Sequence, residues 1–222
     1  MDFALARANM IESQVRPNGI TDERIIAAMA AMPRELFVPS ARRSLAYMDE
    51  DVEIDAAQPR ASARYLLEPM TFARLVQLLA VEGDDKVLDV GCGTGYSSAI
   101  VSMLAKTVIA LESDRELSAE AAANLAKLGL VNAQVITGEL SEGRLSDGPY
   151  DAICINGRIP EPPLALLAQL KDHGRLAAVL GDHEVGRVAL FTRNGAFSVR
   201  YAFDASVPSL PGFEVVRRAF AF

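Results

Sequence analysis

Residues 87–96 read Val-Leu-Asp-Val-Gly-Cys-Gly-Thr-Gly-Tyr. A short apolar run enters three alternating glycines and then a helix-like stretch. This arrangement constrains the fold more than any other in the chain. Apolar residues on both faces make the run a strand covered from both sides, which points to a parallel sheet. Glycines admit positive φ and let a ligand approach the backbone closely, and the helix that follows offers unpaired N–H groups at its start. A dinucleotide fingerprint requires G-x-G-x-x-G. Here the third glycine falls one place early, at Gly95, and Tyr96 follows it. A nicotinamide dinucleotide is therefore disfavoured.

The pattern around the loop extends this reading. Lys86–Val90, Thr107–Leu111, Ala133–Thr137, Tyr150–Ile155 and Arg175–Leu180 are expected as strands. Ser97–Ala105, Arg115–Leu128 and Pro163–Leu170 are expected as helices between them. Strands alternating with helices of this length indicate a doubly covered parallel sheet. Arg187–Arg193, Phe197–Ala202 and Val215–Phe222 read as strands without intervening helices, hence an antiparallel edge. Before residue 80 the texture is helical. Phe3, Ala6, Met10 and Val15 roughly keep helical spacing until Pro17-Asn18-Gly19. Thr21 is the expected N-cap of a second helix with Ile25, Ile26, Met29 and Ala30 inward. Pro39-Ser40 opens a short helix to Leu45, Val52–Ile54 reads as extended, and Pro59–Arg64 as a polar loop. Pro69 suits the first turn of a helix to Leu79 or Ala80. The expected fold is α/β and Rossmann-like. An N-terminal helical cap (1–80) precedes a cofactor-binding sheet domain (81–222), the two forming one compact unit.

Composition agrees. With 222 residues, 50% apolar, 23% charged and no Trp, the core must be built from aliphatic residues. The 29 acids outnumber the 22 bases, giving −7. That balance argues against nucleic acid as a partner. Cys92 and Cys154 sit in strand-like contexts, and with His173 and His183 they lack the spacing of a zinc site. They are expected as reduced, buried thiols of a cytoplasmic protein. Asp2 interrupts any apolar leader, and Leu164–Leu170 is too short to span a bilayer.

A G-x-G-x-G loop after an apolar-Asp-apolar strand resembles the first motif of class I S-adenosylmethionine (SAM) methyltransferases. The second strand ends in Glu112, 17 residues past Gly95. An ionised carboxylate there can accept from two ribose hydroxyls. The third strand ends in Gly138-Glu139, where the resemblance implies an acid near the adenine amino group, and the fourth in Asn156-Gly157, near the methyl. The SAM-contacting residues implied are Asp89, Gly91, Cys92, Gly93, Gly95, Glu112, Ser113, Gly138, Glu139 and Asn156.

The resemblance narrows further. Residues 10–47, MIESQVRPNGITDERIIAAMAAMPRELFVPSARRSLAY, are similar to the N-terminal segment of protein-L-isoaspartate O-methyltransferases. The GCGTGYSSAI loop, the stretch from Ile159-Pro160 to Leu170 and Val207-Pro208 also match. That family methylates the carboxyl of isoaspartyl residues in damaged proteins, so the resemblance implies a peptide or protein substrate. Its members carry a Ser or Thr by the substrate carboxyl, in a Gly-Gln-Thr-Ile-Ser-x-Pro segment. The corresponding segment here, Ala57–Pro69, is longer between Gln58 and Pro69. Ser62 is the candidate hydroxyl, and Arg60, Arg64, Pro69 and Val207 are the substrate-side candidates. Two further readings stay open: a methyltransferase with another acceptor, and a SAM-binding regulatory protein without isoaspartyl activity.

Overall fold

A computed structural model describes residues 1–55 and 63–214. Among them, seven strands form one sheet: β3 (Lys86–Val90), β4 (Thr107–Glu112), β5 (Ala133–Thr137), β6 (Tyr150–Ile159), β7 (Leu170–Leu180), β8 (Val185–Asn194) and β9 (Ala196–Ser206). Their order is β5-β4-β3-β6-β7-β8-β9. The pairs from β5 to β7 are parallel, and β8 and β9 are antiparallel. The antiparallel edge is thus present, and the expected strand at Val215–Phe222 lies outside the described residues. Strand order reverses between β3 and β6. In open α/β sheets ligands bind at the carboxyl ends of the strands at that switch point.

The buried helix α4 (Tyr96–Ser102) follows the glycine loop, and α5 (Arg115–Lys127) joins β4 to β5. Asp114 caps α5 by accepting from the Glu116 and Leu117 amides. The helix expected over Pro163–Leu170 is a single turn, α6 (Leu164–Leu167). Leu170 already pairs with Tyr150 as the start of β7, so strand pairing claims the residues a longer helix would use.

Ahead of the sheet, α1 (Phe3–Met10) continues as irregular helical turns to Gly19, whose φ of +79° ends them. Helix α2 (Glu23–Ala31) is capped by Asp22, not Thr21: the Asp22 carboxylate accepts from the Arg24 amide. Ile25, Ile26, Ala28 and Met29 face inward and Ala30 is exposed. Strand β1 (Val52–Asp55) pairs antiparallel with β2 (Arg64–Leu66). Arg64, expected at the end of a loop, is therefore on a strand. Helix α3 (Pro69–Leu79) lies against β6 and β7. One apolar cluster runs from Met10, Ile25 and Phe37 through Phe72 and Leu75 to Val87 and Ile100, joining the N-terminal elements to the sheet. No helix of the described residues is long and apolar enough to cross a membrane.

Candidate functional site

The site is built on the carboxyl ends of β3, β4 and β6. Gly91, Gly93 and Gly95 all have positive φ, at +74°, +56° and +97°. The three glycines answer different demands. A Cβ on Gly95 would press on Ala121 of α5, with Cβ at 3.2 Å and Cα at 3.3 Å. That glycine serves close helix–loop packing. Gly91 and Gly93 face the front of the site, where added Cβ atoms would meet Leu210 Cδ1 and Ile54 Cδ1, each at 2.6 Å.

Behind the loop, Asp89 is fully buried. Its Oδ2 accepts from the Ser97 and Ser98 hydroxyls and its Oδ1 from Asn156 Nδ2 at 2.6 Å. Burial raises its pKa, and these three donors act in the opposite direction. Both oxygens are engaged with β6 and α4, so Asp89 holds the loop together. Tyr96 packs at the rear against Phe37 and Phe72, with the Arg34 guanidinium 4.7 Å above its ring. Arg34 is completely buried, donating to the carbonyls of Ala46 and Leu67 at 2.6 Å each. The sequence places it within the family-like segment 10–47 but gives no sign of its burial or its partners. Thr94, also not singled out by sequence, donates to the Phe37 carbonyl at 2.6 Å and fixes the loop to the N-terminal segment.

Glu112 ends β4 and is fully buried. Its Oε2 accepts from the Gly93 amide at 2.8 Å, and its Oε1 from the Ser113 and Asp114 amides at 2.8 and 3.1 Å. It also forms a bidentate ion pair with Arg64, Nη1–Oε1 at 2.5 Å and Nη2–Oε2 at 2.8 Å. Arg64 does not face an open substrate site: the acid its guanidinium binds is the chain's own. The two residues are separated by 48 positions, so no local pattern signals the pair.

Other candidates divide by position. Cys92 is buried, with Sγ toward the Gly93 carbonyl, and Cys154 lies deeper in β6. Burial pushes both thiols well above their usual range, which disfavours the reactive thiolate. The Gly138 amide donates to the Glu112 carbonyl at 2.9 Å, and Ser113 and Glu139 are exposed beside it. Pro69 is buried at the start of α3. Val207 is buried, its carbonyl accepting from Arg158 Nε at 3.3 Å. Its neighbours Pro208 and Leu210 exchange backbone hydrogen bonds with Arg158, which brings Leu210 over Gly91. Arg60 and Ser62 lie outside the described residues.

The donor and acceptor set suits SAM. Glu112 stands at the strand end where a ribose would be held, beside a glycine cradle. Asn156 supplies a further acceptor. Its Nδ2 donates to Asp89 and to the Val90 carbonyl, which fixes the amide orientation. Its buried Oδ1 has no donor among the described residues. Asn156 lines the same small space as Gly91, Cys92, Tyr96 and Ser97, and the α-ammonium of SAM carries N–H groups that would match an unpaired amide oxygen. The space itself is about 10 Å³, room for one water at most. Sites for ligands of SAM's size run to roughly 300–1,000 Å³. The chemistry fits, and the side chains of Ile54, Arg64 and Leu210 in front of it must give way.

Known proteins resemble the chain over most of its length. The family model for protein-L-isoaspartate(D-aspartate) O-methyltransferase matches residues 6–210. A protein-L-isoaspartate O-methyltransferase from Koribacter versatilis is 40% identical over 183 residues, 82% of this chain and 80% of that protein. One from Rhodopseudomonas palustris is 35% identical over 94% of this chain and 83% of its own length. Among solved structures, a Plasmodium falciparum protein described as a putative protein-L-isoaspartate O-methyltransferase, in complex with S-adenosyl-L-homocysteine, superposes with a TM-score of 0.76. It is 20% identical, over 93% of this chain and 98% of that one.

Proposed function

The chain belongs to the protein-L-isoaspartate(D-aspartate) O-methyltransferase family, and we propose, on that footing, which of its residues carry the family's reaction. It is a SAM-dependent O-methyltransferase, and its acceptor is the carboxyl of isoaspartyl residues in damaged peptides or proteins. Bound SAM supplies a methyl already activated by the sulfonium, which the acceptor's carboxylate oxygen takes as the C–S bond breaks. A carboxylate of ordinary pKa, near 4, is ionised at neutral pH. The protein therefore needs no general base, and its residues align two reactants and exclude water.

The roles divide accordingly. Glu112 accepts from the ribose hydroxyls. Gly91 and Gly93 let the methionine part approach the backbone, and Asn156 Oδ1 accepts from its ammonium. Asp89, Ser97 and Ser98 fix the loop, and Gly138-Glu139 borders the adenine. Asp89 acts on the cofactor only through the loop it holds. Pro69, Val207, Ser62 and Arg60 remain the acceptor-side assignments. The buried free thiols support a reducing, cytoplasmic setting.

The observation that carries this reading is Glu112: a fully buried carboxylate at the end of the strand beside the glycine loop, tied to the Gly93 amide. Its test is transfer of radiolabelled methyl from SAM to a synthetic isoaspartyl peptide and to its aspartyl twin. Base-labile label in the isoaspartyl peptide alone is expected. Equal labelling of both, or none in either, would contradict it.

A further inference from the structure

We infer that the Arg64 guanidinium is an intramolecular competitor of the cofactor's ribose, so that SAM affinity is set by the cost of breaking the Arg64–Glu112 pair. The inference rests on the SAM-binding reading above and adds to it a residue that controls that site.

Glu112 is saturated as it stands. A carboxylate offers about four lone-pair directions. Oε1 accepts from Arg64 Nη1 and from the Ser113 and Asp114 amides, and the Ser113 hydroxyl lies 3.3 Å away. Oε2 accepts from Arg64 Nη2 and from the Gly93 amide. Two ribose hydroxyls cannot be added to that set. The three amides are fixed by the strand end and the glycine loop, so they cannot leave without unmaking the loop. The guanidinium can leave by rotation of its own side chain, and it is the member of the set that a ligand can replace.

Its position makes the competition spatial as well as electronic. A Cβ on Gly91 would lie 3.4 Å from Arg64 Nη2, so the guanidinium rests on the face of the loop that SAM would use. Arg64 sits on the three-residue strand β2, which among the described residues pairs with β1 alone and belongs to no part of the main sheet. The pair itself is strong. It is bidentate, charge-assisted and nearly dry, with the two side chains 6% and 0% exposed. A binding-competent state populated to a fraction f lowers the apparent affinity by that fraction. A pair that is closed nine-tenths of the time weakens SAM binding about tenfold by this relation.

The experiment is calorimetric titration of the full chain with S-adenosylhomocysteine. It compares wild type, Arg64→Met, which keeps an unbranched stem without the charge, and Arg64→Lys, which keeps the charge without the fork. Arg64→Met is expected to bind at least tenfold more tightly, with Arg64→Lys between it and wild type. Unchanged or weaker binding by Arg64→Met, with wild type still binding, overturns the competition and leaves the SAM reading intact. Absence of binding by all three overturns both. A second measurement uses wild type alone, in case the variants fold poorly: modification by an arginine-specific dicarbonyl, mapped by mass spectrometry. Arg64 is expected to be protected in the free protein and to become reactive with saturating S-adenosylhomocysteine. Protection that persists on saturation counts against displacement.

Discussion

Gly95→Ala isolates one of the demands that made the loop glycine-rich. Two costs act at this position. The first is conformational: a φ of +97° is outside the range L side chains favour, which costs about 1–3 kcal/mol. The second is steric. The new Cβ would lie 3.2, 3.3 and 3.4 Å from Ala121 Cβ, Cα and O, and two of these atoms are helix backbone that cannot rotate away. Overpacking of this kind costs about 1–3 kcal/mol. Alanine also stiffens the unfolded chain, returning about 0.4–1 kcal/mol. The net expectation is a loss of about 1–5.6 kcal/mol. Gly129→Ala is the matched control, with a φ of +70° and nothing within 4 Å of its added Cβ. It carries the conformational cost without the steric one and is expected to lose about 2.6 kcal/mol at most. Urea unfolding followed by far-ultraviolet circular dichroism measures both, and an unchanged slope assigns each midpoint shift to stability. Equal losses in the two variants would refute the view that the approach of α5 dictates Gly95.

Asp51 accepts from the Glu68 amide at 2.8 Å, yet burial raises its pKa from 3.8 to about 6. The native state thus holds this proton more tightly than the unfolded chain does, and stability falls as pH rises from about 4 to about 6. Asp51→Asn is expected to add about 1–2 kcal/mol at pH 7, allowing for partial exposure, and nothing near pH 3.5; a gain independent of pH in chemical denaturation would contradict this. Cys92 and Cys154 are buried thiols with raised pKa. A chromogenic thiol reagent is expected to label neither faster than the protein unfolds, and rapid labelling of native protein would show that one of them is reachable.

Much of the sheet was legible because its strands are short, mostly apolar runs set between helical stretches; β3 and β4 are buried almost throughout, whereas the edge strand β5 is only half-buried. Lys86–Val90 and Ala133–Thr137 fall where the sequence places them, and Thr107–Leu111 gains only Glu112. Strands β6 and β7 are longer than expected for a physical reason. Their extensions contain Asn156-Gly157 and Lys171-Asp172-His173-Gly174, which read as turns, and they are kept in the sheet by irregular pairing. At the site, the glycine loop and Glu112 were legible because spacing along the chain encodes them. The partnership of Arg64 with Glu112 was not, and neither was the burial of Arg34 against Tyr96. Both depend on segments brought together by the tertiary fold, and an arginine in a polar stretch looks the same whether it meets water or a buried carboxylate.

The central claim is that the loop at Gly91–Gly95 and the carboxylate of Glu112 form a SAM site and not a dinucleotide site. Parallel titrations of the wild-type chain with S-adenosylhomocysteine and with NAD test it most directly. Saturable one-to-one binding of S-adenosylhomocysteine, with no heat from NAD, is the expected result. Binding of NAD, or of neither compound, would contradict it.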